Sequence, residues 1–136
     1  MDRLKQRLAV AKQAIASFAE ALQQPAASRI ERDAAIQRFE YTVEAVWKLA
    51  QRYLEVVEGL PAGSPKAAIR ACRETGLFTE KEAIGALEMV DDRNLTAHTY
   101  NERLAQQIYD HLLRYLALVQ TWVGQVEGRL SRQGGT

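Results

Sequence analysis

Cysteine is nearly absent from this chain. Cys72 is the single one in 136 residues, which excludes an intramolecular disulfide and any cysteine-rich zinc site. A charge of one sign is lacking as well. Eighteen Lys+Arg against 17 Asp+Glu leave a formal net charge of +1, so no global field announces nucleic acid and any RNA contact needs a local basic patch. No stretch approaches the ~20 apolar residues of a membrane span. The N-terminus, Met1-Asp2-Arg3-Leu4-Lys5-Gln6-Arg7, alternates charge without an apolar segment, which excludes a signal peptide and makes the cytoplasm the expected location. Convincing strands, internal repeats and low-complexity tracts are missing too. What is present is the composition of an ordinary soluble globular protein, long enough to bury one core without disulfides.

Helical periodicity fills most of the chain. Leu4, Leu8, Ala11, Ile15, Phe18 and Leu22 recur at 4-3-4-3-4 spacing, one stripe on one helix face, and Gln23-Gln24-Pro25 ends that helix. Ser28 with Glu31 resembles a capping box opening a second stripe: Ile36, Phe39, Val43, Val46, Ala50, Tyr53 and Val57, stopping at Gly59. Leu60-Pro61-Ala62-Gly63 reads as a turn, and Ser64-Pro65 as N-cap plus N1 proline of a short helix through Ile69 and Cys72 that stops near Gly76. Thr79 and Glu82 offer another capping box, leading into Ile84, Leu87, Met89 and Val90. Asn101 opens the last helix, with Leu104, Ile108, Leu112, Tyr115, Val119, Trp122 and Val126 on one stripe. Short connections favour an all-α fold, an antiparallel up-and-down four-helix bundle with a broken or short third helix segment. Residues 1–130 are expected to form a single helical domain and residues 131–136 a disordered tail. Phe39, Trp47, Tyr115 and Trp122 are expected in the core.

The stretch with the most chemistry is Arg93-Asn94-Leu95-Thr96-Ala97-His98-Thr99-Tyr100. A guanidinium stays charged and matches phosphate oxygens with a fork of donors, while an imidazole exchanges a proton near neutral pH. The spacing Arg-x4-His is common by chance, so a structural alternative stands beside it. There Arg93 pairs with Asp91, Asp92 or Glu88, His98 caps a helix C-terminus, and Tyr100 packs on the following helix. Glu40 and Glu44 share one helix face as an acidic pair or as ordinary exposed charges. His111 reads as a surface or satisfied interior histidine. Arg29, Arg32, Arg38, Lys48 and Arg52 alternate with acids, which favours a solvated face over an RNA stripe.

Several segments together resemble a known family. Arg32 to Lys48 (RDAAIQRFEYTVEAVWK) looks like the second-helix signature of the nucleotidyltransferase substrate-binding proteins, which belong to the HEPN superfamily. Ser64-Pro65-Lys66 with Ile69-Arg70 resembles that family's third-helix opening. Asp91 to Tyr100 matches its Arg-Asn-x3-His-x-Tyr motif, and Ile108-Tyr109 falls where its last helix carries an apolar-aromatic pair. The match runs in order over roughly residues 3 to 128.

That resemblance implies a dimerising four-helix bundle encoded beside a minimal nucleotidyltransferase and forming a complex with it. It also implies a metal-independent RNase of the toxin type, without cofactor, and adenylylation of Tyr100 by the partner as the means of neutralising it. Arg93 and His98 are then the catalytic pair and Asn94 a residue that orients Arg93 or holds a substrate oxygen. On an unbroken α-helix positions five apart lie about 140° apart around the axis. Either the helix frays by Thr96, or a two-fold axis assembles the site from two copies. The chemistry would be attack of an RNA 2′-OH on the adjacent phosphate, with His98 as general base or acid and Arg93 stabilising charge on the phosphate oxygens. Two other classes remain: a non-catalytic subunit that binds RNA or nucleotide for the nucleotidyltransferase, and a plain helical interaction module. No Gly-Ser…Asp-x-Asp pattern is present, so this chain is not expected to carry two-metal nucleotidyl transfer itself.

Overall fold

The computed structural model describes residues 2–134, and what it describes is all-α. Helix α1 covers Asp2–Ala21, α2 Arg29–Tyr53, α3 Pro65–Glu74, α4 Glu80–Leu95 and α5 Glu102–Gly134. The expected third segment is thus two helices, α3 and α4. A π-helical turn, Leu54–Glu58, extends α2, and a 3₁₀ turn, Thr96–His98, follows α4.

The helix starts obey their cap chemistry. Ser28 Oγ accepts from Glu31 N, but the Glu31 carboxylate reaches Ala27 N rather than the cap residue's own N–H. Thr79 and Glu82 close a full reciprocal capping box. Ser64 and Asn101 accept from Ala67 N and Leu104 N in the same way. Each such cap stabilises its helix by ~1 kcal/mol. Gly59, at φ 69°, closes the π turn in the left-handed region where a side chain is strained.

Directions follow from the pairs that touch. Arg38 donates to Ser17 O and Thr42 to Ala14 O, so α1 and α2 are antiparallel. Glu88 meets Arg114 and Asp92 meets His111, so α4 and α5 are antiparallel as well. Arg32 with Glu102, Phe39 with Tyr115 and Arg129 with Tyr53 make α2 and α5 parallel. The order is up-and-down, with α4 in the third place.

Buried apolar residues form one continuous core in which Leu4, Phe18, Phe39, Leu49, Ile108, Leu112, Tyr115 and Trp122 are enclosed. Three expectations need correction. Ile84 is 52% exposed, because its turn of α4 gives the core Ala83 and Ala86 instead. Trp47 is only partly buried, its indole N–H reaching the Glu44 carboxylate. Helix α5 continues through Ser131–Gly134, since nothing in that segment breaks it, while Gly135 and Thr136 of the expected tail lie outside the described residues.

Candidate functional site

Arg93 lies in the last turn of α4, Asn94 follows it exposed, and the helix changes character at Thr96. Thr96 is buried and its hydroxyl donates to Arg93 O at 2.6 Å, capping the end of α4 from within. The chain then tightens into the 3₁₀ turn ending at His98. With about three residues per turn instead of 3.6, this change leaves Arg93 and His98 roughly 160° apart around the axis. Tightening moves them further from a common face. Among the described residues no hydrogen bond or ion pair joins them. Arg93 instead faces α2, where its guanidinium lies 4.0 Å from Glu44 Oε2. His98 is exposed beside Tyr100, whose hydroxyl stands 3.4 Å from Nδ1 with the two rings edge to face. Tyr100 itself is 82% exposed and does not pack on α5.

The acids considered as partners of Arg93 are engaged elsewhere. Asp91 pairs with Lys66 at 2.7 Å and Glu88 with Arg114 at 3.5 Å. Asp92 points inward, where one oxygen accepts from Tyr115 Oη at 2.6 Å and lies 2.7 Å from His111 Nδ1. Burial, and then that bond to Asp92, push the Tyr115 phenol well above its usual range. His111 is therefore the satisfied histidine. The Asp92–His111–Tyr115 cluster was not read from the sequence; its signal was a histidine and a tyrosine four apart on the inner face of α5.

Glu44, one of the acidic pair noted in the sequence, is the acid that reaches the motif. Its Oε2 accepts from Trp47 Nε1 at 3.0 Å and its Oε1 pairs with Lys48 at 3.0 Å. Burial opposes ionisation, yet Lys48, Trp47 and Arg93 together hold the carboxyl below its ordinary range. The basic residues of α2 are paired or bonded within the fold, Arg29 with Glu102 and Lys48 with Glu44 among them. Arg32, expected on a solvated face, is 6% exposed and clamps the start of α5 through Glu102 at 3.0 Å; Arg38 donates to Ser17 O and Arg52 reaches Glu55. Among the described residues no three His, Cys, Asp or Glu side chains converge as a metal site, and no helix is long and apolar enough to cross a membrane.

The helical fold and the sequence together place the chain in a known class. The chain belongs to the nucleotidyltransferase substrate binding protein like family, whose model matches residues 6–127. It is similar to a Thermus thermophilus protein of known structure, with 51% identity and a TM-score of 0.83 over 85% of this chain and 98% of that one. Its fold is shared by the tri-AMPylated Shewanella oneidensis HEPN toxin in complex with MNT antitoxin, at 15% identity and TM-score 0.77 over 94% of this chain and 98% of that one. The same holds for HI0074 from Haemophilus influenzae, described as having the fold of a substrate binding domain of a nucleotidyltransferase. There identity is 20% and the TM-score 0.64, over 93% and 98% of the two chains. No functionally curated protein matches the sequence significantly.

Proposed function

We propose that this chain is the HEPN-type partner of a minimal nucleotidyltransferase in a two-component, toxin–antitoxin-like module, and that its homodimer is a metal-independent endoribonuclease. The partner reading is supported by family membership and by the likeness to a HEPN toxin that is itself in complex with an MNT antitoxin. The observation that carries the catalytic reading is the state of the two histidines. His111 is tied to a carboxylate, whereas His98 is exposed, five residues beyond an incompletely paired arginine.

Since Arg93 and His98 of one chain do not share a face, the working pair is the guanidinium of one copy with the imidazole of the other, brought together across a two-fold axis. His98 takes the proton of the ribose 2′-OH as that oxygen attacks the neighbouring phosphorus. The 5′-oxygen leaves with a proton from the second imidazole, and a 2′,3′-cyclic phosphate remains. Arg93 meets the charge on the non-bridging oxygens, and Asn94 orients it or holds a substrate oxygen.

The purified protein should cleave RNA in the presence of EDTA, leave 2′,3′-cyclic phosphate ends, and lose cleavage in His98→Ala. Loss of cleavage on chelation would reject the mechanism. Stable co-purification with the nucleotidyltransferase but no cleavage of any RNA pool would leave a non-catalytic substrate-binding subunit. Light scattering that finds a monomer at tens of micromolar would reject the shared site.

A further inference from the structure

Arginine–glutamate contacts between elements of this fold range from 2.9 to 4.0 Å among the described residues, and they are not alike. Arg129 donates to Glu58 at 2.9 Å and to Thr75 O at 2.9 Å, with Tyr53 Oη at 3.5 Å, and Arg32 meets Glu102 at 3.0 Å. Both clamp helices together. Arg93 meets Glu44 through a single nitrogen at 4.0 Å, the outer limit of an ion pair, with over a third of its side chain exposed. On the other side of this contact the carboxylate is fixed. Trp47 and Lys48, three and four residues further along the same helix, each hold one oxygen at 3.0 Å.

We propose that Glu44 is a built-in counter-ion that competes with phosphate for Arg93, occupying the guanidinium until a substrate phosphodiester displaces it. This regulation of the site rests on reading Arg93 as its phosphate-binding group. Arg93 is the movable member of the pair, because its one long contact leaves most of its five N–H donors unused for a forked contact with phosphate. Glu44 is held toward its own helix by Trp47 and Lys48. An isolated small anion must therefore compete against a resident carboxylate with no help from elsewhere.

The test uses the full-length protein and inorganic phosphate, followed by NMR through the backbone amides of residues 93–98. Glu44→Gln removes the charge but keeps an acceptor for Trp47. It should tighten phosphate by about three- to tenfold at low salt, the order expected for losing a partly exposed ion pair at this separation. The gain should disappear in Arg93→Ala, where Glu44→Gln has nothing to release. A Glu44→Gln protein that binds phosphate no more tightly than wild type overturns the proposal. So does an equal gain in the Arg93→Ala background, which would reveal a general charge effect. If circular dichroism shows Glu44→Gln unfolded, Glu44→Asp, which draws the charge back from Arg93, should tighten phosphate about twofold; no change there also overturns it. Because phosphate binding is read without RNA cleavage, failure of the counter-ion and failure of the RNase reading are separate results.

Discussion

Two histidine–tyrosine pairs stand in this molecule with almost the same ring geometry. His98 and Tyr100 have centroids 5.9 Å apart at an interplanar angle of 82°, and His111 and Tyr115 have centroids 5.9 Å apart at 76°. They differ in what lies behind them. Asp92 stands behind the second pair, 2.7 Å from the imidazole and 2.6 Å from the phenol, joining α4 to α5. The first pair has only its own 3.4 Å contact, two residues apart in an exposed turn. Edge-to-face stacking by itself therefore says little about role. Here the imidazole bound by Asp92 ties α4 to α5, and the one beside Tyr100 stands open to solvent.

The sharpest way to break that comparison is to remove each histidine in turn. His98→Ala should lower RNA cleavage by about 10²–10⁴-fold, the usual range for a general acid or base. Its unfolding free energy in urea should stay within about 0.5 kcal/mol of wild type. His111→Ala should do the reverse, keeping cleavage within a few-fold and losing about 1–2 kcal/mol of stability. If the two variants exchange behaviour, the site has been assigned to the wrong histidine.

Next in size come changes to the packing behind the held pair. Leu112 is fully buried one turn before Tyr115, and Leu112→Ala should cost roughly 2–5 kcal/mol in chemical denaturation. Leu8, only partly buried on α1, should cost about half as much on truncation. Asp92→Ala strands the buried Tyr115 phenol, while the half-exposed His111 can turn to water, for about 1–3 kcal/mol. The same cluster gives a pH signature. With its folded-state pKa raised above the unfolded value, the Tyr115 phenol contributes stability that is fully present below the ordinary tyrosine range. That contribution is lost as pH rises through it, because the unfolded chain releases the proton first. Denaturation series on either side of pH 10 should show wild type losing more stability than Tyr115→Phe; equal losses would mean that the phenol is not held as described.

Most of this fold was legible because helix starts and stops are local. Ser28, Ser64, Thr79 and Asn101 cap the helices they were expected to cap, and the stripes through Phe18, Phe39 and Trp122 face the core. Periodicity erred where two faces compete for few apolar residues. Ile84 carries the larger side chain, yet alanines serve the close α4 packing and leave it outside. The motif was legible as residue types, but its partners were not. Nothing in the local sequence says that Asp92 turns inward while Glu44, almost fifty residues earlier, turns toward Arg93. Such pairings depend on the register between helices, which a single helix's pattern does not encode.

The smallest expected effect on stability comes from Tyr100, and it sharpens the comparison from the other side. Its phenol is 82% exposed and, among the described residues, its hydroxyl bonds only His98 Nδ1, so Tyr100→Phe should leave the unfolding free energy within about 0.5 kcal/mol of wild type. The hydroxyl matters for what can be attached to it. A partner enzyme can reach a phenol so placed, and an AMP group there would set a bulky anion beside the imidazole, where the proposed dimer brings Arg93 of the other copy and a substrate phosphate needs space. Silencing would then require no conformational change. After co-expression with the partner nucleotidyltransferase, intact-mass analysis should show adduct on the wild-type chain and none on Tyr100→Phe, and only the latter should remain an active nuclease in the partner's presence. The buried Tyr115, its hydroxyl committed to Asp92, should carry no adduct in either protein. An unmodified wild type that is still neutralised would mean that the partner acts by binding alone, and an adduct that persists in Tyr100→Phe would place the modified residue elsewhere.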